Sequence, residues 1–177
     1  GGERSFLIQG PERVALIGAN GVGKTTLLEV LVHGRDANPG HADAVLLTAR
    51  VGYLPQRLDG LDEDATVLES VQSVAQAVPS VVIRNRLARF LLRGAMVERA
   101  IRTLSGGERF RVALARLLLS DPPPQLLVLD EPTNNLDLQS IDQLVAALRG
   151  YRGALIVVSH DDAFLARLDL TATLVLD

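Results

Sequence analysis

The chain has 177 residues, of which 47% are hydrophobic and 22% charged, with a formal net charge of −3. That composition is globular and not disordered, and the length suits one domain able to bury a core. The absence of cysteine excludes a disulfide framework, a thiol nucleophile and a cysteine-based zinc site, and it suits a cytoplasmic location. No apolar run approaches the roughly twenty residues of a spanning helix, and the N-terminus lacks a basic-then-apolar targeting pattern.

Residues 5–9 read as a short strand, Gly10-Pro11 as a turn and residues 12–17 as a buried strand. Directly after it, Gly18-Ala19-Asn20-Gly21-Val22-Gly23-Lys24-Thr25-Thr26 fits the pattern G-x-x-x-x-G-K-[ST]. The apolar stretch that follows predicts a helix from Thr25 to about Gly34. Without a Cβ, glycine backbone can wrap its N–H groups onto a phosphate, and the next helix aims its positive end at the same anion. Lys24 would reach the β and γ phosphates, and the Thr25 hydroxyl would ligate Mg²⁺. Lys24 is the only lysine; the other seventeen basic residues are arginines.

Residues 35–40 read as loop, and 44–48 and 50–54 as two short strands ending at Pro55-Gln56. An acidic loop occupies 59–64. Thr66 and Glu69 have the spacing of a capping box, opening a helix to about Val78. Pro79-Ser80 breaks it, and a second helix is predicted over 81–93, closed by Gly94. Ser105 and Glu108 form another capping-box spacing, for a helix to about Leu119 with Leu104 as its hydrophobic staple. Asp121-Pro122-Pro123-Pro124 stops that helix. Residues 125–130 form a continuous apolar strand, Asp137 caps a helix to Gly150, and a strand, a helix and a strand follow over 154–158, 161–168 and 172–176. Strands alternating with helices mean an α/β fold with a largely parallel sheet, and the strandless stretch 66–102 reads as an inserted helical lobe.

Leu129-Asp130-Glu131-Pro132 places two carboxylates at the end of a buried strand, where open α/β sheets bind ligands. In a phosphate-loop site Asp130 would hold Mg²⁺, directly or through water, and Glu131 would polarise the attacking water. His160 ends another strand, where parallel strands finishing on one edge would set it beside Glu131 and the γ phosphate. Gln56 could ligate the metal or orient water. His33 and His41 lack such context and receive no role. Ser105-Gly106-Gly107-Glu108 is a second glycine-rich helix start, explained either as an anion site or as simple capping.

In order, the phosphate loop, Gln56, residues 104–108, Asp130-Glu131, a turn ending in Asp137 and His160 resemble the ATP-binding cassette (ABC) superfamily, across nearly the whole chain. The resemblance implies a P-loop NTPase (RecA-like) fold, a mostly parallel sheet core with an inserted helical subdomain, within one cassette over 1–177. It implies ATP and Mg²⁺, with Thr25, Asp130 and Gln56 toward the metal and Glu131, His160 and Gln56 as the catalytic set. Two cassettes would meet head to tail, so that ATP on Lys24 of one is covered by Ser105, Gly106 and Gly107 of the other. The second cassette would lie on the same longer chain or in a homodimer, and the isolated monomer would be a weak or inactive ATPase.

Glu131-Pro132-Thr133-Asn134-Asn135-Leu136-Asp137 and Ser159-His160-Asp161-Asp162-Ala163-Phe164-Leu165 resemble the soluble ABC-F group more than transporter cassettes. That resemblance implies the second cassette of a two-cassette protein acting on the ribosome, or in antibiotic resistance, with the adenine-stacking aromatic upstream and Phe6 as strand core. The alternative is the nucleotide-binding subunit or domain of a membrane ABC transporter. From Arg84 to Arg116 there are nine arginines against two acids, Glu98 and Glu108. Those at 84, 86, 89, 93, 99 and 102 could contact RNA phosphates or form a solvated face.

Overall fold

The computed structural model describes residues 7–33 and 48–176. Strands β1 (Arg13–Gly18), β2 (Val51–Leu54), β3 (Leu126–Asp130), β4 (Ala154–Val158) and β5 (Ala172–Leu176) pair in parallel, in the order β2-β3-β4-β1-β5. β3 and β4 are buried at every position, as strands covered on both faces must be.

Side chains alternate across a strand, and β3 divides accordingly. Leu127 and Leu129 join Leu155 and Val157 in one core with Leu144 and Leu148 of α5 (Leu138–Gly150) and Leu114 of α4 (Gly106–Leu119). Leu126 and Val128 join Ile156 and Val158 in a second core with Leu28 of α1 (Lys24–His33). Each fully buried leucine or valine contributes about 1.5–3 kcal/mol, so the sheet is held from both sides and its strand ends are fixed relative to one another.

Both capping-box predictions are met. Thr66 opens α2 (Val67–Gln72) and Ser105 opens α4, each with reciprocal bonds to the glutamate three residues on. Asp137 caps α5 through the Ser140 N–H at 2.7 Å, while Leu104 is buried in the first core and makes no hydrophobic staple, because the fourth position of α4 is Arg109 and not an apolar residue.

Three helices are shorter than predicted. α2 stops at Gln72 and not near Val78, because the Gln72 side-chain amide donates to the carbonyls of Ala75 at 3.0 Å and Val78 at 2.9 Å, holding the chain in turns. The helix predicted over 81–93 is α3 (Ser80–Leu87) followed by a 3-10 turn, Ala88–Phe90, and it is closed by Leu91 at φ 61° and not by Gly94. That left-handed turn sends both Phe90 and Leu92 into the core, and their burial outweighs about 1–2 kcal/mol of backbone strain. The last helix, α6 (Asp162–Leu165), tightens so that Arg167 bonds Phe164 and Leu168 bonds Leu165, burying Leu168 completely. Residues 7–9 and 48 carry no strand. The rest of the strands predicted over 5–9 and 44–48, the loop at 35–40, the helix end at Gly34 and His41 lie outside the described residues.

Candidate functional site

β1 runs directly into the glycine-rich loop, where Gly21 and Gly23 adopt φ 81° and 96°, a region that residues with a Cβ rarely enter. Lys24 opens α1 and is 8% exposed, its ammonium donating to the carbonyls of Gly18 at 2.7 Å and Ala19 at 2.9 Å. Thr25 and Thr26 are exposed beside it, as are Ala19 and Asn20, while Val22 is half-buried.

The ladder order decides what meets this loop. β4 lies between β1 and β3, so residues leaving β4 stand between the loop and the end of β3. Asp130 ends β3 fully buried, and its Oδ2 has no hydrogen-bond partner. Burial pushes its carboxyl above the ordinary carboxylate range; Glu29 adds to the rise, while the Thr25 hydroxyl and the Lys24 ammonium oppose it. An orphaned, buried carboxylate oxygen beside a hydroxyl is the hard oxygen donor set that fits Mg²⁺.

Glu131 follows in the left-handed region at φ 48°, with its N–H on the Val158 carbonyl at 2.8 Å. That bond carries the end of β3 across to β4 and turns the Glu131 side chain toward His160. His160 Nε2 lies 3.3 Å from Glu131 Oε1, and the His160 backbone N–H donates to Oε2 at 3.3 Å. Gln56, exposed, shares with Glu131, Gly106, Arg109 and Asn134 the lining of a cavity of about 310 Å³.

Ser105 and Gly106 are exposed, and Gly107 is half-buried. A Cβ at Gly107 would come to 3.3 Å from Ser140 Oγ, so glycine lets the start of α4 press against the start of α5. Among the described residues no hydrogen bond joins Ser105, Gly106 or Gly107 to residues 18–26. Arg111, one helical turn beyond Gly107, drew no attention in the sequence. It is buried, and its Nη2 reaches Gln139 Oε1 at 3.2 Å and Ser140 Oγ at 3.4 Å. No local spacing marks it, because its partners lie on α5, 28 and 29 residues away in sequence.

The structure also sorts the nine arginines. Arg84 pairs with Glu98, Arg102 with Asp64 and Arg109 with Glu63, while Arg99 stands 3.6 Å from Glu108. Arg111 and Arg116 are turned inward onto α5 and α2. Arg86, Arg89 and Arg93 are exposed, with no acid in ion-pair range among the described residues.

The ABC transporter family profile matches residues 3–134. YdiF of Bacillus subtilis (strain 168) is 39% identical over 166 residues, 94% of this chain and 25% of that protein. ATP-binding cassette sub-family F member 3 of Mus musculus is 35% identical over 156 residues, 86% of this chain and 21% of that protein. The chain therefore spans about a quarter of the length of the curated relatives it matches. The dimeric structure of a bacterial ABC transporter cassette superposes with a TM-score of 0.74 at 21% identity, over 92% of this chain and 80% of that one, a likeness of fold. A glycine loop, a buried acid and a cap-bound helix start set on one parallel sheet thus agree with the sequence matches, and the chain belongs to the ABC transporter family as an ATP-binding cassette.

Proposed function

We propose that the chain binds MgATP on Gly18, Ala19, Asn20, Gly21, Val22, Gly23, Lys24, Thr25 and Thr26. Hydrolysis takes place at a site completed by Ser105, Gly106 and Gly107 of a second cassette. The observation that carries this reading is the orphaned Asp130 carboxylate at the same sheet end as Lys24, Thr25 and the Glu131–His160 pair.

Lys24 exchanges its two loop carbonyls for phosphate oxygens, and the loop N–H groups fix the phosphate chain. Thr25, Asp130 and Gln56 would hold Mg²⁺, which when bound would supply charge neutralisation for phosphoryl transfer. Glu131 accepts a proton from the attacking water, and His160 holds the carboxylate in place while its ring faces the phosphate edge. The start of α4 on the second cassette supplies N–H groups and a helix dipole toward the γ phosphate. One cassette alone has only half of these donors and is a weak ATPase.

The identity to sub-family F members, together with the Asn134-Asn135 turn, supports a cytoplasmic ABC-F protein acting on the ribosome as the whole molecule. Among the described residues no helix is long and apolar enough to cross a membrane. A titration of MgATP into the folded chain, with and without a matching second cassette, tests the site. Uptake that requires Mg²⁺ and tightens on pairing is expected, and no uptake in either case rejects it. Ribosome co-sedimentation of the full-length protein across a salt series tests the partner. Affinity that falls steeply with salt, and less steeply after Arg86→Gln and Arg89→Gln, supports an RNA contact. Co-purification with a membrane subunit instead favours the transporter alternative.

A further inference from the structure

Two helix starts meet in this chain, and one buried cation joins them. The first turn of α4 carries Ser105, Gly106 and Gly107; the first turn of α5 follows Asp137. Arg111 is 9% exposed, yet no carboxylate lies in ion-pair range of it among the described residues. Its guanidinium instead reaches Gln139 and the fully buried Ser140 in the first turn of α5. Its Nε–H has no acceptor. A cation so placed is costly, and two helix N-termini nearby make it costlier, since each presents a partial positive charge. The offsetting group is Asp137, whose carboxyl is held below its ordinary range first by its hydrogen bonds to Ser140 and, less, by the Arg111 charge. Packing alone would be served better by an apolar side chain.

We infer that Arg111 is a positioning residue, a strut that makes the first turns of α4 and α5 move as one body. Gly107 permits the close approach and Arg111 locks it: the chain of bonds runs Arg111 to Ser140 Oγ, and Ser140 N–H to Asp137 at 2.7 Å. In the proposed composite site the α4 start covers the nucleotide of the other cassette, while the turn before Asp137 leads back through Asn135 and Asn134 to Glu131. The strut therefore ties the covering element of each cassette to the carboxylate of its own site. Its meaning for catalysis rests on the reading above; the mechanical link does not.

Amide hydrogen exchange on the full-length protein tests the link without nucleotide. Arg111→Met is expected to speed exchange about tenfold or more at Glu108 and Arg109 and also at Ser140 and Ile141, leaving β3 and β4 unchanged. Ser140→Ala, a change in α5, is expected to loosen the first turn of α4 as well, and Arg111→Lys to give an intermediate effect. If Arg111→Met disturbs the whole fold, the two milder variants decide. Exchange at Glu108 and Arg109 within about twofold of the parent in Ser140→Ala overturns the strut. In steady-state turnover of the paired protein, Arg111→Met is expected to lower kcat about tenfold with KM for MgATP within about twofold, and Arg111→Lys to restore part of it. An unchanged kcat overturns the catalytic role. A parent that never pairs with MgATP rejects the composite site, while the exchange result still judges the strut.

Discussion

His160 meets both oxygens of Glu131, its ring Nε2 at 3.3 Å from one and its backbone N–H at 3.3 Å from the other. The backbone contact persists whatever side chain stands at 160, so the carboxylate is aimed by β4 first and by the imidazole second. Glu131→Gln keeps the shape and removes the proton acceptor. In the paired protein, hydrolysis should fall about 10²–10⁴-fold in single-turnover assays while MgATP affinity stays within about twofold. Unchanged hydrolysis would remove Glu131 as the base.

Asp130 opposes the stability of the nucleotide-free chain. Its folded pKa lies above the ordinary 3.8, so the folded state binds the proton more tightly than the unfolded one. This group's contribution is then greatest below about 3.8 and is lost as pH rises through the elevated value. Asp130→Asn should raise the nucleotide-free Tm at pH 7 by about 2–8 °C, the range for 1–2 kcal/mol in a domain of this size. The same variant should lose the Tm increase given by MgATP. Calorimetric scans with and without MgATP read both effects.

Arg13 fastens the far end of the sheet. Its Nη2 donates to the carbonyls of Leu148 at 2.7 Å and Tyr151 at 3.1 Å, and its Nη1 to Leu168 at 3.3 Å. These carbonyls lie where α5 and the turn after α6 finish, and that of Leu148 also accepts the Tyr151 N–H at 3.1 Å. Arg13→Met should cost about 2–3 kcal/mol in urea unfolding, the loss of charged hydrogen bonds from a half-buried site, with MgATP affinity unchanged because the site lies at the opposite strand ends.

Tyr151 sets an alkaline limit. Its hydroxyl donates to the Pro124 carbonyl at 3.0 Å, and burial pushes its pKa from 10.0 up to about 12. The folded state retains this proton longer, so the contribution is complete below pH 10 and disappears as pH rises through about 12. Tyr151→Phe should flatten the fall of urea-derived stability between those values; an unaltered slope would assign the fall to other groups.

Helix starts were legible in the sequence because capping is local. Thr66, Ser105 and Asp137 each bond a backbone N–H three residues ahead, and spacing alone carries that information. Helix ends in the lobe were not. The turn at Leu91 exists to bury Phe90 and Leu92, and the early stop of α2 depends on where the Gln72 amide points. The phosphate loop and the Asp130-Glu131 pair stood out as contiguous motifs. Arg13 and Arg111 did not, since their partners lie 135 and 29 residues away, respectively.

The backbone at Glu131 sits where asparagine and glycine rest more easily, at a cost of about 1–2 kcal/mol for other side chains. Directed evolution that rewards heat tolerance alone would therefore tend to erase this acid, and survivors would look improved until asked to turn over. Laboratory selections on this cassette need a turnover requirement in every round.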